Sequence, residues 1–406
     1  GTPLGGRASS VRASSSTEAG VPSIQTPQNS FGSPLEKELQ RRAKFARILA
    51  TPVVDMRALR DASWSGIPSE HRMVSWQLLL GYLPANREWR QSTLARKRRE
   101  YAESVPQYFD ADDSERSEHQ RAILHQILID VPRTASGTAL FQQPAVQRSL
   151  ERVLYIWALR HPASGYVQGI NDLVLPLYVT FLGAAAPAGA RTEAGELDVD
   201  AIPAETLATV EADCYWCLSK LLDSIQDHYT FAQPGIQRLV FRLREIVGRI
   251  DRPLHAHLNA QGIQFIQFAF RWMNCLLMRE LSLPLVCRLF DTYLAEAAAD
   301  LDAASVVAAG AGAAAPTVVG AAGADVGGTG GGGDSFAVLH VYVCAVLLMR
   351  WSERLQQMQF QELVMFLQHL PTEEWGPAEL EEVISQAYLL KQLYHNSQAH
   401  LQSTAE

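Results

Sequence analysis

Apolar residues along this chain recur at helical spacing wherever the pattern is regular. In "PAVQRSLERVLYIWALRHP" (144–162), Val146, Leu150, Val153, Leu154 and Trp157 follow one another at steps of four, three, one and three. Those steps put them on one face of a helix. Pro144, with its φ already helical, suits the first turn, and Pro162 cannot continue the ladder. Residues 204–229, 265–280, 336–351 and 377–395 carry the same period. No two alternating runs are joined by an Asn-Gly or Asp-Gly turn, and no repeat of fixed length is visible. The pattern predicts an all-α fold. Residues 173–190 are uncharged, but Pro176, Gly183, Pro187 and Gly189 interrupt them. A buried helix running into an Ala-rich loop fits better than a bilayer span.

The breaks in periodicity set the domain plan. Residues 1–34 are Ser-, Gly- and Pro-rich with few large apolar side chains, which predicts a disordered tail. Residues 35–395 are expected to form the helical domain, and 396–406 a C-terminal tail. Within the domain, 184–202 is expected to be a flexible surface loop. The Ala/Gly-rich stretch 297–334 is expected to be a flexible insertion, with helical period resuming at Phe336.

Composition narrows the function classes. Of 406 residues, 47% are hydrophobic, enough for a large core, and 35 Lys and Arg against 43 Asp and Glu leave a net charge of −8. A mildly acidic chain argues against a dedicated nucleic-acid binder. Five cysteines are too few for a disulfide framework, which suits a reducing compartment. The sequence opens on Gly1 rather than Met, as a piece of a longer chain would.

Most motif-like stretches are explained by structure alone. Cys214 and Cys217 in "CYWC" have no second ligand pair at a zinc-site distance, and on a helix they share a core face. "REWRQSTLARKRRE" (87–100) is strongly basic, but its charges spread around a helix, which predicts a solvated surface element. No phosphate-binding loop, G-x-S-x-G or H-E-x-x-H is present, so no nucleotide, nucleophile or metal site of the chain's own is indicated.

Two stretches resist so plain an account. In "HQILIDVPRT" (125–134), Asp130 and Arg133 sit three apart in a turn-prone apolar context, with Pro132 between them. Either the two form an intramolecular pair, or Asp130 aims the planar, always-charged guanidinium outward from a loop stiffened by Pro132 and Thr134. In "SGYVQGIND" (164–172), Tyr166, Gln168, Asn171 and Asp172 are interspersed with Gly165 and Gly169 just before an apolar run. Either they cap the next helix, or Gln168 is placed to orient a water through its amide.

Taken together, these stretches resemble the signature of TBC-domain Rab GTPase-activating proteins. The resemblance rests on Ile127, Asp130 and Arg133 as I-x-x-D-x-x-R, followed by Tyr166, Gln168 and Gly169 as Y-x-Q-G. The opening "WSGIPSEHRMVSW" carries Trp64, Gly66, Ile67, Pro68, Arg72 and Trp76 in the family's order. "FAFRWMNCLLMRE" and "RLFDTY" match later motifs, so the likeness covers about residues 60–395. It implies a V-shaped all-α domain of two helical subdomains. It also implies that Arg133 and Gln168 enter a GTPase site in trans, Arg133 neutralising developing charge and Gln168 positioning the water. Asp130, Tyr166, Gly169, Asn171 and Arg72 would support and orient them. An arginine finger is worth roughly 10³–10⁵ in rate, or about 4–7 kcal/mol of barrier. The implied partner is a Rab-family GTPase in its GTP form, which brings the Mg²⁺ and GTP. No cofactor belongs to this chain, and the implied location is cytoplasmic or peripheral on Golgi or other endomembranes. A helical scaffold that binds a Rab or another trafficking protein without accelerating hydrolysis is the alternative.

Overall fold

The computed structural model describes residues 1, 33–192, 196–310 and 334–394. Residues 1–40 and 41–406 make two units, and the second holds the site. Helices α1 (Pro34–Ala50), α2 (Met56–Ser63), α3 (Ser69–Leu79) and α4 (Arg90–Ser104) open the fold. They are followed by α5 (Glu118–Arg133), α6 (Pro144–Arg160), α7 (Ile170–Ala185) and α8 (Ala204–Ser224). Next come α9 (Pro234–Ile250), α10 (Arg252–Ala260), α11 (Ile266–Asn274) and α12 (Leu283–Gly310). The last are α13 (Asp334–Arg350), α14 (Ser352–Leu355), α15 (Phe360–Gln368) and α16 (Pro377–Tyr394). No strand occurs among the described residues, only isolated bridges of Val53 with Asn86 and Arg191 with Leu197. The all-α expectation holds.

Two helices have no polar face because nothing around them is wet. Every residue of α7 from Ile170 to Tyr178 is buried, and the helix packs against α3, α6, α8 and α12. Every residue of α13 from Phe336 to Leu348 is buried, against α9, α12 and α16. Each Leu, Ile, Val or Phe so placed contributes about 1.5–3 kcal/mol relative to exposure. The uncharged run 173–182 is therefore core. No helix among the described residues is long and apolar enough to cross a membrane.

Buried carboxylates clamped by arginines lock the helices in register. On α8, Asp213 accepts from Arg98 Nε and Nη2 of α4 at 2.8 and 2.7 Å, and from Tyr82 Oη at 2.7 Å. Two residues back along α8, Glu211 accepts from Arg152 of α6 at 2.8 and 2.6 Å and from Tyr101 Oη at 2.7 Å. Such pairs fix geometry more than they add stability, yet removing one partner strands a buried charge at about 3–5 kcal/mol.

Three expectations need correction or completion. The basic stretch is only partly a solvated face, because Arg98 is committed to Asp213 and the Lys97 ammonium sits 3.7 Å from the Trp216 ring centroid. The insertion begins later than Ala297: α12 runs on to Gly310, since alanine is the best helix former, and 311–333 lie outside the described residues. In 184–202, the part described has no α-helix beyond Ala185, only a 3₁₀ turn at Val199–Ala201, but buries Ala190, Val199 and Ile202. The tails expected at 1–34 and 396–406 fall almost wholly outside the described residues.

Candidate functional site

Helix α5 begins with a capping box, in which Ser117 Oγ accepts from Gln120 N and Gln120 Oε1 accepts from Ser117 N. Its last turn contains Pro132, which has no N–H for the carbonyl four residues back and crowds that carbonyl with its ring. The helix ends when Thr134 turns extended (φ −74°, ψ 125°) and Ala135 takes φ +46°. Arg133 is thus the final residue of α5 rather than part of a loop after it. Helical register does the aiming: Asp130 and Arg133 are three apart on one face.

Asp130 is fully buried, whereas the Arg133 side chain is 55% exposed. Asp130 Oδ1 accepts from Arg133 Nη2. Its Oδ2 accepts from Tyr166 Oη at 2.9 Å and Gln126 Nε2 at 3.2 Å. The Tyr166 hydroxyl also lies 3.2 Å from Asn171 Oδ1. Asn171 Nδ2 donates to Thr134 Oγ1 at 2.8 Å, and that hydroxyl donates to the Asp130 carbonyl at 2.7 Å. The circuit Asp130–Tyr166–Asn171–Thr134–Asp130 is closed. It ties the end of α5, with its arginine, to the start of α7, beside the glutamine turn. Burial and the neighbouring Asp130 charge push the Tyr166 phenol far above its ordinary range, so it stays a donor.

Gln168 is exposed at the turn before α7, and no hydrogen bond of its side-chain amide occurs among the described residues. Its backbone is held hard. The Gln168 carbonyl accepts from Asn274 Nδ2 at 2.8 Å, and Gly169 N donates to Asn171 Oδ1 at 2.8 Å. Gly169 has φ +114°, outside the region open to L residues, and a Cβ there would sit 2.1 Å from Asn274 Nδ2. Only glycine satisfies both conditions.

Arg133, Gln168 and Arg279 line one open cleft of about 500 Å³, with Ala135, Ser136, Gly137 and Met278 along its wall. Arg279 Nε donates to Asp172 Oδ2 at 2.9 Å, and burial pushes the Asp172 carboxyl up against the pull of Arg279. Leu276 and Leu277, both buried, take φ +49° and +62° to bring Met278 and Arg279 round. Such conformations cost about 1–3 kcal/mol each and persist where the surroundings over-determine them. A second cavity, about 380 Å³ and lined by Leu79, Leu221, Leu276, Phe290 and Tyr293, is mostly apolar and holds none of the seven candidate site residues. The cleft with Arg133 and Gln168 is the candidate site.

Six of the seven candidate residues come together here: Arg133, Gln168, Asp130, Tyr166, Gly169 and Asn171. Arg72 does not. It donates to Asp291 Oδ1 from Nε at 3.0 Å and to the Ile67 carbonyl from Nη2 at 3.0 Å, and it is absent from the cleft. Asp291 is fully buried and also accepts from Trp76 Nε1 at 2.8 Å and Ile67 N at 2.9 Å. Arg72 therefore staples α3 to α12. Sequence reasoning missed Thr134 as a member of the circuit, Asn274 as the anchor of Gln168, and Arg279 as a second cleft cation. Asn274, the last residue of α11, lay inside a matched motif but was given no role there. Cys214 and Cys217 are fully buried on α8, with thiols pushed far up by burial, and all five cysteines are unpaired. Among the described residues no group of three His, Cys, Asp or Glu could hold a metal.

The helical architecture belongs to a known class. The Rab-GTPase-TBC domain profile matches residues 69–308, more than half of the chain, and the chain belongs to that family. It is 45% identical over 363 residues to the GTPase-activating protein gyp1 of Schizosaccharomyces pombe, covering 89% of this chain and 63% of that protein. It is likewise 45% identical over 366 residues to human TBC1 domain family member 22A, covering 90% of this chain and 62% of that one. The chain thus spans less than two thirds of the length of these relatives. The solved Ypt/Rab-GAP domain of Gyp1p matches with a TM-score of 0.75 at 41% identity, over 88% of this chain and 99% of that one. A Chlamydomonas flagellar RabGAP TBC domain, at 15% identity and a TM-score of 0.53, shares the fold.

Proposed function

We propose that this chain is a GTPase-activating domain that accelerates GTP hydrolysis by a Rab-family GTPase, supplying Arg133 and Gln168 in trans. The observation that carries the reading is the shared cleft: an exposed arginine fixed by a buried aspartate beside an exposed glutamine fixed through its backbone. Phosphoryl transfer asks for positioning and charge stabilisation rather than covalent chemistry, and these two groups offer both. Arg133 neutralises charge developing on the transferring phosphoryl and leaving groups. Gln168 accepts from the attacking water through its carbonyl and donates through its amide. Mg²⁺ and GTP arrive with the partner. Peripheral association with Golgi or other endomembranes belongs to the same proposal, made through a membrane-borne partner. Recovery of the protein in a membrane fraction only while the partner is present tests that part.

The central test is single-turnover phosphate release across a panel of purified, GTP-loaded Rab GTPases. A stimulated Rab whose own switch glutamine is changed to Ala or Leu should remain strongly stimulated, because Gln168 takes over that role. Gln168→Ala should abolish stimulation of the unaltered Rab. An unresponsive mutant Rab together with tolerance of Gln168→Ala would show that Gln168 is structural.

A further inference from the structure

The segment "DHYTFAQPG" (227–235) joins α8 to α9 and presents Phe231 at 96% exposure, the most exposed of the large apolar residues described. An exposed phenylalanine on a floppy loop would mean little. This loop is not floppy. Tyr229 is buried, and its hydroxyl donates to the Asn274 carbonyl at 2.7 Å. Gln233 Nε2 donates to the His228 carbonyl at 3.0 Å and lies 3.5 Å from Asn274 Oδ1. Arg238 pairs with Asp227 across the loop's base. At Gly235 a Cβ would meet Asp227 Oδ1 at 2.5 Å, so the closing turn is packed tight.

The backbone between these anchors is strained. Ala232 and Gln233 take φ +62° and +48°, a region non-glycine residues adopt only when the surroundings compel it. The result is a phenyl ring held out in water by a loop that is fastened on both sides. The fastening residue is Asn274, whose side chain also carries the Gln168 carbonyl. Phe231 is two residues from Tyr229 and two from Gln233, so it lies within roughly 8 Å of each at ~3.8 Å per Cα step. The loop that carries Phe231 and the turn that carries Gln168 are thus fastened to one residue, Asn274.

We infer that Phe231 is a preformed docking knob for the same GTP-loaded GTPase that receives Arg133 and Gln168, seating in an apolar depression of that partner. This rests on the function proposed above. The shared anchor singles out this occupant, since Asn274 holds both the loop that presents the ring and the turn that presents Gln168. Aromatic anchors of this kind dominate interface energetics, and pre-ordering the loop removes part of the cost of binding. Phe231 itself has no part in the chemistry, so its removal separates binding from turnover.

The experiment uses the full chain, with Phe231→Ala and Phe231→Leu, against whichever Rab in the GTP-loaded panel the unaltered chain stimulates most. Hydrolysis is followed under single turnover over a range of activator concentrations. The concentration for half-maximal stimulation should rise ~10–100-fold for Phe231→Ala and less than ~10-fold for Phe231→Leu. The rate constant at saturation should be retained within about twofold, and the melting temperature within about 1 °C. An unchanged half-saturating concentration overturns the docking role while leaving the proposed function standing. A loss confined to the saturating rate, or a marked drop in melting temperature, overturns it too, because the ring would then serve catalysis or the fold. Sedimentation of the chain alone supplies the last arm: a dimer that Phe231→Ala converts to monomer would assign the ring to self-association and sink the inference. Failure of the unaltered chain to stimulate any Rab overturns the functional reading and the inference with it.

Discussion

Gly169→Ala puts the sharpest demand on the site geometry. The added methyl would stand 2.1 Å from Asn274 Nδ2, whereas ordinary contact begins at 3.4 Å, so the amide must withdraw by about 1.3 Å (3.4 − 2.1). Withdrawal of that size along the bond breaks the 2.8 Å hydrogen bond to the Gln168 carbonyl. The backbone at φ +114° adds strain of about 1–3 kcal/mol, and the lost bond about 0.5–1.5 kcal/mol. Together they make about 2–4 kcal/mol, or about 3–5 °C in melting temperature for a domain of roughly 350 residues. Activity should suffer more than stability, since a misplacement near 1 Å of a positioned group costs about 10²-fold in rate. The assay is single-turnover hydrolysis by a responsive Rab, with calorimetric melting beside it. Combining Gly169→Ala with Asn274→Ala supplies the control. If the clash acts through Asn274, the double variant should be no slower than Asn274→Ala alone. Full activity in Gly169→Ala, or strictly additive losses, would refute the reasoning.

Arg133→Lys keeps the charge but loses the planar fork, so stimulated hydrolysis should fall at least ~10²-fold with circular dichroism unchanged; near-normal activity would remove Arg133 from the chemistry. Arg72→Ala leaves Asp291 buried without its cation and should destabilise the fold by about 3–5 kcal/mol, read as a lower denaturation midpoint, while the saturating rate of the folded fraction stays close to normal. Burial pushes His340 down to about 3 and His228 to about 4. Both lie below the unfolded value, so their stability contribution is whole above pH ~6.5 and is lost on acidification, at up to ~1.4 kcal/mol per pH unit each. Asp172, Glu280 and Asp291, with carboxyls raised by burial, oppose that trend. His340→Gln should therefore lose melting temperature less steeply than the unaltered chain between pH 6.5 and 4.5; equal slopes would mean that the imidazole is not held neutral.

The helices were legible in the chain because each needs only local information: apolar residues at i, i+3 and i+4, Pro at first turns, and good helix formers between. Periodicity alone also placed Val146, Leu150 and Trp157 on a buried face, where they are. The Asp130–Arg133 and Tyr166–Gln168–Gly169 stretches stood out because polar residues in apolar, glycine-marked surroundings need a reason. Their partnership across 30 or so residues of intervening helix was not readable from spacing, since a hydrogen bond between Tyr166 and Asp130 depends on how α5, α6 and α7 pack. Arg72 shows the same limit from the other side. Its motif is local, but its partner Asp291 lies on α12, and only packing could assign the arginine to the core scaffold rather than the cleft. The chain's own pattern thus determined which segments are helical and which side chains are out of place in them. Tertiary structure decided which of those side chains meet, because buried polar groups must find partners wherever the fold puts them. In this protein the sequence did not say that Thr134 would bond Asn171 or that Asn274 would hold the Gln168 carbonyl.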